Sequence, residues 1–124
     1  NGHGNARAVA KIHSALANGG RVGDVQLLSP EICQAVMQTR IEGPDLVFGA
    51  PMAFGLGFGL HPLKANRRNL CFWGGWGGSR AIIDQDNQLS FSYVMNKMAD
   101  GLLGDARGDQ LGGATFKSVA AIGR

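Results

Sequence analysis

The sequence lacks any long apolar run. None of its apolar segments reaches the ~20 residues that a membrane-spanning helix needs, so we predict no membrane span. Only two cysteines are present, Cys33 and Cys71, far apart and outside any C-x-x-C pair, and the three histidines are scattered. The ligand spacing of a metal site is therefore absent. The cysteine count allows one disulfide, but two buried free thiols are the commoner outcome.

Charge is also sparse. Charged residues make up 17% of the 124 residues and the net charge is +3. The one basic cluster is the segment HPLKANRR, with His61, Lys64, Arg67 and Arg68 and no aromatic residue. Nucleic-acid-binding modules concentrate more positive charge and interleave aromatic side chains. We therefore interpret the cluster as a solvated turn between strands and expect no nucleic-acid partner. A small basic nucleic-acid binder stays an alternative, and it predicts an affinity that falls steeply with salt.

What the sequence does contain suits one globular unit. The hydrophobic content is 44%, and the length suffices for a buried core. The chain opens on Asn-Gly-His-Gly rather than on methionine and enters a helix within a few residues. We therefore expect a cut or processed start.

Two helices are predicted in the first third of the chain. Residues 5–20 form a helix that Asn5 caps and Gly19 ends. Its apolar face is predicted to hold Val9, Ile12 and Leu16. A second helix starts at LLSPE, where Ser29 is the N-cap and Pro30 takes the first helical position. Its predicted core residues are Ile32, Ala35 and Val36, and EGPD at 42–45 breaks its pattern.

A third helix is predicted in the tail. Asp109 is a plausible cap for it. Its apolar stripe is predicted to hold Phe116, Val119 and Ala120. Gly112 and Gly113 weaken this helix but allow it to lie close against a sheet.

The middle of the chain reads as antiparallel strands joined by short turns. The predicted strands are AFGLGFGL (53–60), NLCFW (69–73), SRAIID (79–84) and QLSFSYVMN (88–96), with a turn at DQDN (84–87). The alternation in the last strand puts Leu89, Phe91, Tyr93 and Met95 on one face. The predicted fold class is therefore α+β, an antiparallel meander flanked by helices, which we expect on one face of the sheet.

The stretch FWGGWGGSR (72–80) holds both tryptophans and four glycines. Linkers are built from small polar residues, so two tryptophans argue against one. Glycine in a strand often marks close approach of another group to the backbone. We therefore interpret the stretch as a strand edge with tryptophan walls beside bare backbone.

Taken together, these phrases resemble a known family. The resemblance rests on the helix NARAVAKIHSALANGG, the helix start LLSPE, the strand FGLGFGL, the stretch FWGGWGGS and the hairpin RAIIDQDNQLSFSYVMNKM, in that order. The chain resembles the C-terminal part of the serine β-lactamase and penicillin-binding-protein superfamily and is most similar to its β-lactamase-related esterase branch. The resemblance implies a single partial domain over residues 1–124, the C-terminal portion of a β-lactamase/transpeptidase-like fold.

The resemblance also implies site residues. In that family a third motif, often K-T-G and in some members W-G-G, lies on a strand edge that lines the site. Trp73, Gly74 and Gly75 stand in that place, and with Trp76 they are the implied substrate-binding residues. The backbone N–H of Trp76 is the implied oxyanion donor. Trp73 in place of lysine removes a positive charge, which favours small neutral esters or amides over carboxylate-bearing substrates.

The nucleophile motif of the family is absent from this chain. No serine is followed three residues later by lysine, so S-x-x-K does not occur. The implied function is a segment of an acyl-enzyme serine hydrolase that is inactive alone and whose partner is the missing N-terminal part of the same polypeptide. The resemblance implies no cofactor and no metal. Exposed strand edges and apolar helix faces would favour self-association. The alternative is a non-catalytic binding or structural module that uses Trp73 and Trp76.

Overall fold

The computed structural model describes residues 3–60 and 69–123. The predicted basic cluster at 61–68 lies outside the described residues. The helices are α1 (Ala6–Ala17), α2 (Pro30–Val36) and α3 (Ala106–Ala121). The strands are β1 (Arg21–Val22), β2 (Val25–Gln26), β3 (Ile41–Asp45), β4 (Ala50–Phe54), β5 (Gly59–Leu60), β6 (Leu70–Gly74), β7 (Arg80–Asp84) and β8 (Leu89–Tyr93).

Six strands form one antiparallel sheet in the order β3-β4-β5-β6-β7-β8, and β1 pairs with β2 in a separate hairpin. Each strand of the large sheet pairs with its neighbour in the chain, which is how short turns connect antiparallel strands. The predicted α+β class with an antiparallel meander flanked by helices is confirmed. Among the described residues, no strand lies beyond β8, so β8 is an end strand.

The sheet is covered on both faces. Helices α1 and α2 pack on one face, where the core cluster consists of Leu16, Ala17, Cys33, Val36, Ala53, Leu60, Cys71 and Ile83. Helix α3 packs on the other face, where Phe116 lies against Leu70, Phe72 and Ile82. The expectation that helices cover a single face is therefore wrong. Successive residues of a strand point to opposite faces, and β6 and β7 are apolar at successive positions, so both faces need cover.

The ends of α1 and α2 follow the predicted capping residues. Asn5 Oδ1 accepts a hydrogen bond from the Ala8 N–H at 2.9 Å, and Gly19 has a φ of +62° just past α1. Ser29 Oγ accepts a hydrogen bond from the Ile32 N–H at 3.4 Å, with Pro30 in the first helical position. These local signals are readable because capping depends only on neighbouring residues.

Two predicted core residues of these helices are exposed instead. Ile12 is 67% exposed, because only the last turn of α1, from Ala15 to Ala17, is buried. Ile32 is also exposed, and its neighbour Cys33 takes the buried position in α2. The spacing of the predicted core residues is that of a helix, but the buried face of α2 starts one residue later than predicted, at Cys33 instead of Ile32.

The segment 53–60 is not one strand. The chain turns between β4 and β5, with the Gly55 N–H donating to the Phe58 carbonyl at 2.9 Å. A Cβ atom at Gly55 would collide with the Val36 carbonyl group, so the turn passes close under α2. The helical pattern is indeed broken before 42–45, because α2 ends at Val36; these residues belong to β3, which pairs with β4. Pro44 is tolerated there because β3 is at the edge of the sheet.

Helix α3 begins earlier than predicted. Asp105, not Asp109, is its N-cap, and Asp105 Oδ1 accepts hydrogen bonds from the Arg107 N–H at 2.9 Å and the Gly108 N–H at 3.3 Å. A Cβ atom at Gly112 would lie 3.4 Å from Ile82 Cδ1, whereas one at Gly113 would meet nothing within 4 Å. One of the two predicted close approaches is therefore present, at Gly112.

The β7–β8 turn ties the sheet to the helices on one face. Its predicted position is confirmed, since Asp84, the last residue of β7, accepts hydrogen bonds from the backbone and side chain of Asn87 at 3.1 and 2.7 Å. The side-chain amide of Gln85 donates to the carbonyls of Leu16 and Cys33 at 3.1 and 3.0 Å. One side chain thus links α1 and α2 to the turn. The predicted strand at 88–96 is shorter, ending at Tyr93.

Both cysteines are free and buried, as expected for two thiols far apart in sequence. Burial raises the pKa of Cys71 to about 12. Burial, and to a lesser degree the charge of Glu31, also raises the pKa of Cys33.

Because the thiolate is the reactive form, we expect the native protein to show almost no reaction with a thiol reagent at neutral pH. Denaturation should release two reactive thiols. The measurement is a colorimetric thiol count with and without guanidinium. Rapid reaction of one thiol in the native protein would contradict the buried positions described here.

Candidate functional site

The four predicted site residues lie at the end of β6 and in the turn that follows. Trp73 and Gly74 are the last residues of β6 and pair with Ala81 and Arg80 of β7. The turn is closed by the Gly75 N–H, which donates to the Ser79 carbonyl at 2.9 Å. The structure therefore brings all four residues together at one tip of the sheet.

Glycine is required at different positions of this stretch for different structural reasons. A Cβ atom at Gly74 would collide with the Leu103 carbonyl group and lie 2.8 Å from Leu103 Cα. Gly77 and Gly78 have φ values of +98° and +124°, which non-glycine residues rarely adopt. Gly75 has neither constraint, because a Cβ atom there would meet nothing within 4 Å. Within Trp73–Gly75, the close approach at Gly74 is made by the chain's own backbone, and Gly75 is the glycine that faces open space.

The turn is supported by the segment that leads into α3. The Gly77 N–H donates to the Gly101 carbonyl at 3.0 Å, and the Ala99 N–H donates to the Gly77 carbonyl at 2.9 Å. The Arg107 guanidinium donates to the Lys97 carbonyl at 2.8 Å and to the Gly77 carbonyl at 3.4 Å. These contacts hold the turn in one conformation.

The two arginines near this tip are each paired with a carboxylate. Arg80 donates to Asp109 Oδ1 at 2.6 Å and to the Leu103 carbonyl at 3.3 Å. Arg107 forms an ion pair with Asp105. This hydrogen-bonded pairing lowers the pKa of Asp105 and raises that of Arg107. Neither guanidinium is left as an unpaired cation that could attract an anionic substrate.

The two tryptophans present aromatic surface at the tip. Trp73 is 40% exposed and Trp76 is 66% exposed. The Trp73 ring lies 6.4 Å from the Phe48 ring and 6.1 Å from the Phe54 ring, centroid to centroid. Within the described ranges 3–60 and 69–123, no atom accepts a hydrogen bond from the Trp76 backbone N–H. The tip thus combines exposed aromatic rings with a backbone donor that has no acceptor among the described residues.

Phe48 and Phe54 were missed by the sequence reasoning as parts of this site. Phe54 was assigned to a strand, and Phe48 follows a segment that was interpreted as a pattern break. Phe54 and Phe48 lie 19 and 25 residues before Trp73 in the chain, so no local period predicts these contacts.

Two of the serines make structural hydrogen bonds. Ser79 Oγ accepts from the Met95 N–H at 3.3 Å, and Ser118 Oγ donates to the Ala114 carbonyl within α3 at 3.0 Å. In the part of the chain that the structure describes, no group of three or more His, Cys, Asp or Glu side chains could hold a metal ion. No helix in that part is both long and apolar enough to cross a membrane.

We compared the sequence and the fold of this chain with those of known proteins. No protein-family model matches the chain. It is 31% identical over 104 residues to "Esterase/beta-lactamase LipL" of Mycobacterium tuberculosis, covering 83% of this chain and 24% of that protein. It superposes on a penicillin-binding protein homologue from Caulobacter crescentus with a TM-score of 0.86 and 35% identity, covering 95% of this chain and 33% of that one. A family VIII carboxylesterase gives 0.84 and 33%, covering 92% and 31%.

These two structures share the antiparallel sheet between helices, so the fold is that of β-lactamase-like proteins. The sequence relative and the solved structures support the serine β-lactamase and penicillin-binding-protein-like superfamily that the sequence motifs indicate, with the chain matching its C-terminal part. The chain spans about a quarter of the curated relative's length and about a third of each of the two solved structures.

Two neighbouring glycines allow a direct test of this geometry. We expect Gly74→Ala to lower the free energy of unfolding by roughly 1–3 kcal/mol, because the added Cβ atom forces the Leu103 backbone to move. Gly75→Ala is the matched control and should change it by less than about 0.5 kcal/mol. Urea denaturation of the purified chain measures both. Equal stability of the two variants would contradict the close packing of Leu103 against β6.

Proposed function

We propose that this chain is a single partial domain of a serine hydrolase that works through an acyl-enzyme. In this proposal β6 supplies the oxyanion strand and one wall of the substrate pocket. The observation that carries the proposal is the Trp76 N–H, which has no acceptor within residues 3–60 and 69–123 and directly follows Trp-Gly-Gly at the exposed end of β6 in a β-lactamase-like fold.

The position of this donor suits an oxyanion hole. Such a site needs a backbone N–H that is free of internal partners and fixed before the substrate arrives. The Trp76 N–H has no acceptor among the described residues, and the turn around it is held by Gly75, Gly77 and the segment before α3. A donor of this kind contributes about 2.7–4 kcal/mol to transition-state stabilisation.

The wall beside the donor favours a neutral substrate. Trp73 occupies the place of the lysine of K-T-G, and Arg80 and Arg107 are engaged with carboxylates. A substrate carboxylate would find no free cation in these side chains, whereas an apolar group could contact the Trp73 ring. The proposed substrates are therefore small neutral esters or amides.

The nucleophile of the proposed enzyme would come from outside this chain. No S-x-x-K occurs here, so the 124 residues alone are expected to be inactive. The proposed partner is the N-terminal part of the same polypeptide. The exposed Ile12 and Ile32 on the helices and the end strand β8 are surfaces that such a part could cover. Left uncovered, they would favour self-association.

The first test is an intact-mass measurement of the natural protein with and without a fluorophosphonate probe. We expect a mass well above 13.0 kDa that rises by one probe, with the adduct on a serine in S-x-x-K. The isolated 124-residue chain is the control and should gain no adduct. A natural protein of 13.0 kDa without adduct would overturn the proposal and favour a binding module built on Trp73 and Trp76.

The second test removes the proposed donor. In the complete hydrolase, Trp76→Pro deletes the backbone N–H and should lower kcat about 10²–10³-fold. Trp76→Phe keeps the N–H and controls for loss of the indole, so it should retain most of kcat. Esterase assays with a neutral p-nitrophenyl ester measure both. Equal loss in the two variants would argue for a side-chain role of Trp76 instead.

A further inference from the structure

The β3–β4 turn is fixed by one carboxylate. Asp45 Oδ1 accepts hydrogen bonds from the Val47 and Phe48 N–H groups, both at 2.9 Å. The Gly49 N–H donates to the Asp45 carbonyl at 2.9 Å, and Gly49 has a φ of +66°, which glycine adopts without strain. Three hydrogen bonds to one residue therefore define the conformation of the turn.

The turn separates its apolar side chains into two groups. Leu46 is 98% exposed and Val47 is also exposed. Phe48 is half-buried and meets the Trp73 ring at an interplanar angle of 78°. This edge-to-face arrangement is a preferred geometry of aromatic pairs. The same turn that leaves Leu46 in solvent thus directs Phe48 against the candidate site.

Two aromatic side chains contact the Trp73 ring. Phe48 contacts it from the β3–β4 turn, and Phe54 of β4 contacts it at an interplanar angle of 53°. The remaining exposed part of the ring is apolar surface that lies three residues before the Trp76 N–H in the chain. We refer to Phe48, Phe54 and Trp73 as the aromatic wall.

Building on the proposed function, we propose that Phe48 is a positioning residue for Trp73 and that the aromatic wall selects esters with an extended apolar substituent. None of its three side chains carries charge, so the wall gains from burying methylene groups and offers nothing to an anion. Each methylene buried against such a surface raises kcat/KM by roughly fourfold. Because the hydrogen bonds of Asp45 already fix the turn, substrate binding does not have to order Phe48 first.

Positioning is tested in the isolated chain by fluorescence. In a Trp76→Phe background, Trp73 is the sole tryptophan. We expect Phe48→Ala to shift the Trp73 emission to longer wavelength and to increase its quenching by acrylamide. Phe48→Tyr should keep the native emission because it keeps the ring contact. Leu46→Ala is the matched control in the same turn. An unchanged emission in Phe48→Ala, with circular dichroism like that of the parent, would overturn the positioning role.

Selection is tested in the complete hydrolase with two series of neutral esters. One series lengthens the acyl group from acetate to octanoate, and the other lengthens the alcohol. We expect kcat/KM to rise with length in one series, and Phe48→Ala to flatten that rise through KM. Leu46→Ala, in the same turn but outside the aromatic wall, is the control and should change neither the rise nor kcat for acetate. An active enzyme without any length preference would overturn the selection while leaving the proposed function intact. A complete protein with no esterase activity would overturn both, and the fluorescence result would still decide the positioning role.

Discussion

The pairing of β6 with β7, buried on both faces, is the constraint on which the rest of the structure depends. Cys71 and Ile83 lie opposite each other in this pair and have no exposed surface. Their neighbours Phe72 and Ile82 are buried against the other face. A pair that is apolar on both sides cannot be covered by one helical layer, so α1 and α2 take one face and α3 takes the other. Because both strands are packed on both faces, the position of the turn that joins them is fixed.

The candidate site lies on that turn, and its rigidity has two sources. The strands hold it from one side, and the segment before α3 holds it from the other through Gly77 and Arg107. Most of the glycines in the stretch serve this packing and the backbone conformation of the turn. Only Gly75 is free of both demands, so the fold requires Gly74 of the Trp-Gly-Gly motif but leaves Gly75 facing open space.

Local features could be predicted from the sequence. Features that depend on contacts between distant parts of the chain could not. The caps at Asn5 and Ser29 and the strands β6, β7 and β8 were recognisable because capping and alternation are local. The segment 53–60 alternates regularly, yet the chain turns after Gly55, whose N–H donates to the Phe58 carbonyl, and the nearby Val36 carbonyl leaves no room for a side chain at Gly55. Likewise β3 was hidden by its glycine and proline, which an edge strand tolerates.

The candidate site shows the same division. Its position was predicted from the order of the motifs, which also indicated the superfamily. The aromatic neighbours of Trp73 could not be predicted, because Phe48 and Phe54 reach it through the folding of a hairpin elsewhere in the sheet. Asp45 was part of a segment interpreted as a break, although its hydrogen bonds define the turn that carries Phe48. A polar residue that follows Gly43 and Pro44 gave no sign of that role.

The Gln85 amide gives the helical layer an unusual dependence on a single functional group. It donates both of its hydrogens, one to α1 and one to α2, and both receiving atoms are carbonyl oxygens. A glutamate of nearly the same shape has no hydrogen to donate when ionised, so it would set negative charge against two acceptors. Shape alone therefore does not preserve this junction. Glutamate looks like a conservative replacement for Gln85, yet it would remove both hydrogen bonds that link the turn to α1 and α2.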